Sequence, residues 1–240
     1  MPVLLIDIGN TATKVAIDGA IDNIVTFHRD EAINEVALFA AKQGVERCVV
    51  SKVASYGDDI ISELKRNNIY VHNVTSQSRL NFVCNYGTPA TLGADRIAAI
   101  AAAVDICPSR PLLVVDAGTA ITYDFVTRNH TYIGGNIAPG MRLRFETLHN
   151  YTSQLPLCSE TDYKAPIGND TKSAIAAGIT NGLISELHYY EELAKSTLGD
   201  DFAIILGGGD YNFFALQTKN SIFAAQNLAL HGLSVLNRLN

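Results

Sequence analysis

The chain has 240 residues, of which 48% are hydrophobic and 18% are charged, with a formal net charge of −6. This length allows one large domain or two small ones around a substantial core, and the composition excludes a disordered chain. The acidic balance and the lack of a basic stripe predict no nucleic-acid partner.

The four cysteines, Cys48, Cys84, Cys107 and Cys158, are far apart and form no C-x-x-C pair. Without a secretory signal, this spacing indicates reduced thiols and not a disulfide framework. The most apolar helix candidate, Ile97 to Cys107, is too short to span a bilayer. We therefore expect a cytoplasmic protein with no membrane partner.

The first half predicts three strands followed by alternating helices and strands. The stretch 75–92 lacks periodicity, and long irregular segments of this kind are often functional loops. Strands are expected at Val3–Asp7, Thr13–Asp18, Ile24–His28, Arg47–Val53 and Ile69–Val74, and helices at about Asp30–Gln43, Gly57–Asn67 and Ala94–Ile106.

The second half repeats this pattern after Pro111, with a loop expected over residues 151–170. Its strands are expected at Leu112–Asp116, Ile121–Thr127, Thr131–Ile137 and Phe202–Leu206, and its helices at about Met141–Asn150, Thr171–Leu198 and Ala224–Leu239. Three strands and then alternation, twice over, predict an α/β protein of two similar lobes with mixed sheets. This is the pattern of the ribonuclease-H-like fold, duplicated as in actin, and the lobes are predicted at residues 1–110 and 111–240.

Each lobe carries one short polar motif directly after its first strand, Asp7 to Lys14 and Asp116 to Thr122. Aligning the two aspartates also aligns Gly9 with Gly118 and Thr13 with Thr122. An acidic residue followed by Gly and small hydroxyl residues presents backbone N–H groups to phosphate beside a metal carboxylate. Either motif alone could be an ordinary hairpin turn, but the pair favours a nucleotide between the lobes.

The tetrad Gly93-Ala94-Asp95-Arg96 opens the Ala-rich helix. An Asp in the first turn of a helix often only complements the macrodipole. The alternative is that Asp95 takes the proton of an acceptor hydroxyl, while Arg96 holds a carboxylate or phosphate through two hydrogen bonds.

Two further glycine-rich segments are candidates for close approach to a ligand, Gly134 to Gly140 and Gly207 to Gly209. The first could equally be a turn or a contact with another backbone, and the second could let an adenosine lie against the chain. The sequence has no P-loop, no G-x-G-x-x-G fingerprint, no H-E-x-x-H and no G-x-S-x-G. The residues by themselves therefore predict an ATP-dependent kinase of a small hydroxylated anion.

In the order and spacing of these motifs the chain resembles type III pantothenate kinase over essentially its whole length. That family belongs to the superfamily of acetate and sugar kinases, heat-shock ATPases and actin. The resemblance implies phosphorylation of pantothenate by ATP, the first step of coenzyme A synthesis. One departure is Leu206, which precedes the late glycines where Thr is frequent in the family.

The resemblance also implies roles for individual residues. Asp95 would be the proton acceptor, Asp116 would ligate a monovalent cation (K⁺ or NH₄⁺), and Asp7 would act on ATP through Mg²⁺. The ATP-binding residues would be Asp7, Ile8, Gly9, Asn10, Thr11, Ala12, Thr13, Lys14 and Thr119. The pantothenate contacts would be Tyr86, Gly93, Ala94, Asp95, Arg96 and Thr171.

The family is dimeric, with the substrate pocket near the subunit interface, so we expect a C₂ homodimer. The predicted helix 171–198 begins at Thr171 and carries an apolar stripe. Such a stripe is usually core, but here it could couple the interface to the site. Its members at helical spacing are Ile175, Ile179, Leu183, Leu187, Tyr190 and Leu193.

Two rival functions share some of these features. A sugar or acetate kinase of the same superfold would have both Asp-Gly turns, but in a longer chain with inserted subdomains. A non-catalytic scaffold or regulator would keep the nucleotide turns and would not need Asp95-Arg96; members of this family have been regarded as accessory transcription factors.

Overall fold

The computed structural model describes residues 1–218, 222–225 and 227–240, and its strands form two sheets. The first sheet has the order β3-β2-β1-β4-β5, in which β2 is antiparallel to β1 and β3, while β4 and β5 run parallel to β1. Its strands are β1 (Val3–Ile8), β2 (Ala12–Ile17), β3 (Val25–His28), β4 (Arg47–Lys52) and β5 (Tyr70–Asn73).

The second sheet consists of β6 (Val83–Cys84), β7 (Leu112–Ala117), β8 (Ala120–Val126), β9 (Thr131–Pro139), β10 (Ala203–Gly207) and β11 (Ile222–Ala224). Its order is β11-β10-β7-β8-β9-β6. The run β9-β8-β7-β10-β11 repeats the order and the strand directions of the first sheet. The duplicated α/β fold with two lobes is thereby confirmed.

Seven α-helices accompany the sheets in the described part of the chain: α1 (Arg29–Lys42), α2 (Gly57–Arg66), α3 (Ala94–Ile106), α4 (Met141–Asn150), α5 (Thr171–Leu198), α6 (Tyr211–Ala215) and α7 (Leu228–Leu239). The bounds of α3, α4 and α5 are those that the sequence predicts. Among the described residues, no helix combines the length and the apolarity that a bilayer crossing requires.

Helices α3 and α7 form a layer that packs on both sheets. Their apolar side chains share one core with Leu5 and Val49 of the first sheet and with Val114 and Ile205 of the second. The helices lie close together, since a methyl group at Gly232 of α7 would overlap the backbone of α3 at Ala98. The two lobes are therefore joined by a continuous hydrophobic core.

Two elements cross the predicted division at residue 110. Strand β6 precedes this point in the chain but pairs with β9 of the second sheet. Helix α7 follows the second sheet but packs on β1 and β4 of the first. The irregular stretch 75–92, which contains β6 and a 3₁₀ turn at Pro89–Thr91, thus carries the chain between the lobes.

The predicted start of the last helix, about Ala224, is wrong. The backbone of 222–224 pairs with the free edge of β10 and forms β11, and α7 begins only at Leu228. Local pattern could not reveal this, because an edge strand is defined by the partner strand that accepts its hydrogen bonds.

Helix α5 begins as predicted at Thr171, with Asp170 as its N-cap. The Asp170 Oδ1 accepts a hydrogen bond of 2.9 Å from the Ser173 backbone N–H. Its apolar stripe faces the core of the second lobe, with Ile179, Leu183 and Leu187 buried. The stripe is therefore core, and it does not supply a free apolar face for a second subunit.

Candidate functional site

A cleft of about 340 Å³ lies between the lobes, where the turn after β1 meets the turn after β7. It is lined by Asp7, Gly9, Asn10, Thr11, Ala12 and Lys14 of the first lobe and by Asp116, Gly118, Thr119, Ala120 and Thr122 of the second. The Thr11 and Thr119 hydroxyl oxygens are 3.1 Å apart and hydrogen-bonded across the gap. The two motifs found in the sequence therefore face one another.

Both turns are closed by a glycine N–H that donates to the first residue of the next strand, although the first turn is one residue longer. The Gly9 N–H donates to the Ala12 carbonyl at 3.1 Å, and the Gly118 N–H donates to the Ala120 carbonyl at 3.0 Å. Space is tight at Gly9, where an added Cβ would lie 3.3 Å from the Ala12 carbonyl oxygen. The repeated Gly thus closes the hairpin so that the residues beside it line the cleft.

Two of the predicted ATP-binding residues do not line the cleft with their side chains. Ile8 is fully buried in the core of the first lobe. Thr13 is also buried, and its hydroxyl lies 3.2 Å from the Tyr56 hydroxyl, which donates to the Gly9 carbonyl at 2.7 Å. These residues support the first turn from the interior of the first lobe.

Three carboxylates share the cleft, those of Asp7, Asp95 and Asp116. Burial, followed by repulsion from Asp95, raises the pKa of Asp7 to about 6. Burial, followed by repulsion from Asp7 and Asp95, raises the pKa of Asp116 to about 7. Lys14 opposes both shifts and lines the same cleft.

The cleft also contains buried oxygen atoms without a well-placed protein partner. Asp7 Oδ1 has no hydrogen-bond partner among the described residues, and Thr122 Oγ1 has only a loose contact with the Asp124 carboxylate. Buried polar atoms are rarely left unpaired, so these oxygens suit a cation, water or a ligand. No group of three His, Cys, Asp or Glu side chains within the described ranges is placed to hold a metal, so phosphate or water oxygens would have to complete the coordination of a Mg²⁺ ion.

Asp95 lies in the first turn of α3, with its carboxylate toward the cleft. Its Oδ1 accepts a hydrogen bond of 2.8 Å from the Arg96 backbone N–H. Burial raises the pKa of Asp95, which makes the carboxylate a better proton acceptor. Asp95 thus lies in the first turn, where it complements the helix macrodipole, and it also lines the cleft, so the two interpretations that the sequence left open do not exclude each other.

The neighbouring residues Gly93 and Ala94 line a second cavity of about 680 Å³, between α2, the end of β4 and the start of α3. Val53 lines both this cavity and the cleft. Room for an acceptor molecule therefore exists directly beside Asp95.

Arg96 is not placed as the sequence predicts. Its guanidinium is buried and binds Asp124 of β8, with Nη2 at 2.6 Å and Nε at 3.1 Å from Asp124 Oδ1. Nη2 also donates to the Tyr132 hydroxyl at 2.7 Å. The paired hydrogen bonds expected for a substrate are made instead to a carboxylate of the protein itself.

Tyr86 and Thr171, which are also predicted to contact the acceptor, lie in different places. Tyr86 stacks on Tyr132, with ring centroids 5.7 Å apart, and covers the outer side of Arg96. Thr171 is exposed at the start of α5 and lines neither the cleft nor the cavity beside it. The structure brings Tyr86 near the α3 start and leaves Thr171 outside the site of its own chain.

The late glycines reach the cleft through Gly208 and Gly209. Gly208 has a φ of +87° and lies against the Ala117 backbone, where no side chain fits. Leu206 is fully buried, so the residue that departs from the family pattern does not face the cleft. Gly140 packs beneath the second turn, where its N–H donates to the Thr119 carbonyl at 2.9 Å.

Sequence reasoning missed several residues at this site. The start of α7, at residues 227–230, lines the cleft. Asp124 and Tyr56 support Arg96 and the first turn, respectively. Only Thr122 had a signal, since it belongs to the second Asp-Gly motif, but its predicted alignment with Thr13 is wrong, because the strand register makes Lys14 its counterpart. The others come from segments far away along the chain.

Comparison with known proteins agrees with this architecture. The type III pantothenate kinase family model matches residues 3–192. The type III pantothenate kinase of Flavobacterium psychrophilum (strain ATCC 49511 / DSM 21280 / CIP 103535 / JIP02/86) is 38% identical over 237 residues, covering 98% of each chain.

Two solved structures show the same fold at low identity. A Campylobacter jejuni protein described as a Baf family transcriptional activator is 22% identical, with a TM-score of 0.67 over 98% of this chain and 97% of that one. The inorganic polyphosphate/ATP-glucomannokinase of Arthrobacter sp. strain KM is 14% identical, with a TM-score of 0.52 over 99% and 98%. With the family model covering most of its length, the chain belongs to the type III pantothenate kinase family.

Proposed function

We propose that this chain transfers the γ-phosphoryl group of ATP to the hydroxyl of pantothenate, giving ADP and 4′-phosphopantothenate. The observation that supports this best is the position of Asp95, which faces the cleft between two phosphate turns in a member of the pantothenate kinase family. The reaction belongs to coenzyme A synthesis. Its cytoplasmic location is inferred from the use of ATP and from the four free cysteines.

The cleft residues have separate tasks in this reaction. Backbone N–H groups and the hydroxyls of Thr11 and Thr119 would hold the phosphates, and Lys14 would add a positive charge. Asp95 accepts the proton as the acceptor oxygen bonds to the γ-phosphorus and the bond to the ADP oxygen breaks. Because this transition state is loose, orientation matters more than basicity.

The unpaired oxygens fit a cation. Asp7 would hold Mg²⁺ together with ATP oxygens, and Asp116 would hold K⁺ or NH₄⁺, since hard cations prefer carboxylate oxygens. Bound cations would neutralise charge on the phosphates during transfer.

A homodimer is part of this proposal. Seven exposed large apolar side chains lie within the segment 133–189 of the second lobe: Ile133, Ile137, Leu143, Tyr151, Leu157, Ile167 and Tyr189. Thr171 belongs to the same segment and does not reach the cleft of its own chain. Contact of Thr171 with pantothenate would therefore require a second copy of the chain.

The proposal is tested by ATP turnover with pantothenate, compared with glucose and acetate as acceptors. We expect turnover only with pantothenate. Asp95→Asn keeps the shape and removes the proton acceptor, so turnover should fall by about 10²–10⁴-fold while pantothenate binding by calorimetry persists. Asp105→Asn, at the exposed other end of α3, is the matched control and should keep full rate. An Asp95→Asn variant as active as the wild type would leave Asp95 only its interaction with the helix macrodipole.

The cation site predicts a dependence on salt. Replacing K⁺ by Na⁺ or Li⁺ should lower initial rates in wild-type protein, and Asp116→Ala should lose both this dependence and most of the rate. Equal wild-type rates in all three salts would remove the monovalent site from the proposal.

The pKa values of Asp7 and Asp116 predict how the stability of cation-free protein varies with pH. Both pKa values lie above that of an aspartate in an unfolded chain, so the folded state binds more protons than the unfolded chain between about pH 4 and 7. The free energy of unfolding, measured in a buffer without Mg²⁺, K⁺ or NH₄⁺, should therefore fall as the pH rises through this window. Urea unfolding at pH 8 should show Asp116→Asn to be more stable than wild type by about 1–3 kcal/mol. A wild-type profile that rises with pH over this range would contradict the assigned shifts.

The dimer is tested by dilution. Sedimentation from micromolar to nanomolar concentration, beside the kinase assay, should show turnover per chain falling as the dimer dissociates. Ile167→Asp should weaken the dimer at little cost to folding, because Ile167 is 86% exposed. Leu216→Asp, at an equally exposed position outside the segment (82%), is the control. A fully active monomer would exclude this part of the proposal.

A further inference from the structure

We infer that Asp124 and Tyr132 of the second lobe are positioning residues for the base Asp95, and that they act through the side chain of Arg96. This inference deepens the proposed function and rests on it. It replaces the direct substrate contact that the sequence suggests for Arg96.

The contact between Arg96 and Asp124 is an ion pair buried between the lobes. Side-chain exposure is 6% for Arg96 and 0% for Asp124. A single hydrogen bond would let the guanidinium rotate, but here Nε and Nη2 both donate to Asp124. Two hydrogen bonds to one carboxylate fix the plane of the guanidinium as well as its distance.

Tyr132 on β9 fixes the same group from a second strand. Its hydroxyl accepts from Arg96 Nη2 at 2.7 Å. Its ring stacks on Tyr86 and meets Phe82 edge-on, with centroids 5.7 and 6.4 Å away. The hydroxyl is therefore held in place by a packed ring, and Arg96 is held from two neighbouring strands.

Gly135 provides the space for this arrangement. It lies opposite Asp124 in the β8–β9 register. A Cβ at this position would lie 2.5 Å from Asp124 Oδ1 and 2.8 Å from Arg96 Nη2, and it would overlap the Tyr123 carbonyl. One glycine of the Gly134-Gly135 pair thus makes room for the ion pair and not for a ligand.

The link to the base is short. Arg96 follows Asp95 directly, and its backbone N–H donates to Asp95 Oδ1 at 2.8 Å. Fixing the Arg96 side chain to β8 and β9 therefore fixes the first turn of α3 and the carboxylate bound to it. A buried ion pair stabilises a fold weakly after desolvation, which fits a role in geometry better than one in stability. A displacement of about 1 Å at a reacting group can lower a rate by about 10²-fold.

The experiment compares Tyr132→Phe with Tyr123→Phe. Each variant removes the hydroxyl of a buried tyrosine that is hydrogen-bonded to a charged residue. The Tyr123 hydroxyl, however, donates to Glu186 at 3.0 Å and belongs to the core of the second lobe. We expect Tyr132→Phe to lower kcat about tenfold with an unchanged KM for ATP, and Tyr123→Phe to leave kcat unchanged. Asp124→Asn should lower kcat further. If this variant does not fold, the comparison of Tyr132→Phe with Tyr123→Phe still tests the inference.

A second measurement does not depend on the acceptor. Amide hydrogen exchange at Arg96 and Ile97 should be faster in Tyr132→Phe than in wild type or Tyr123→Phe. If the wild-type protein is inactive with pantothenate, the proposed function is wrong, and the hydrogen-exchange measurement alone then tests the inference. Equal kcat in both tyrosine variants, or equal exchange in all three proteins, would overturn the positioning role.

Discussion

The crowding of Asp7, Asp95 and Asp116 in one cleft is the constraint on which the rest of the structure depends. Carboxylates that are removed from water and placed beside each other disfavour ionisation, as the raised pKa values of Asp7 and Asp116 indicate. Such a cluster does not stabilise the fold. The apolar layer of α3 and α7, which packs on both sheets, has to hold the carboxylates together.

That layer also explains why the lobes are not independent. Helix α3 carries Asp95 and belongs to the first half of the chain, yet its Arg96 is anchored to Asp124 in the second. Conversely, helix α7 follows the second sheet in the chain but packs on the first sheet, and its start lines the cleft. Asp95 is consequently held by contacts with both lobes at once, so any relative motion of the lobes would move it.

The two turns are closed by the same type of backbone hydrogen bond, but they differ in length by one residue and in their surroundings. In the first turn, the hydroxyl of Thr13 is used inside the protein, beside Tyr56. In the second, Thr122 lies opposite Asp116 in the strand register, as Lys14 lies opposite Asp7 in the first, and both residues line the cleft. The position opposite the aspartate therefore reaches the cleft in both lobes, with a cationic side chain in one and a hydroxyl in the other.

The sequence by itself determined the duplicated α/β fold, the bounds of α3, α4 and α5, and the two Asp-Gly turns. Hydrophobic period, caps and turn residues act over a few positions, and the same local pattern occurs twice. The sequence did not determine β11, the start of α7, the Arg96–Asp124 pair or the buried position of Thr13. Each of these depends on a partner far away along the chain: a free strand edge at β10, a carboxylate 28 residues beyond Arg96, or the Tyr56 hydroxyl. Only the packing of the two lobes brings those partners within hydrogen-bonding distance, and it is this packing that turns Arg96 away from the cleft and leaves Asp95 facing it.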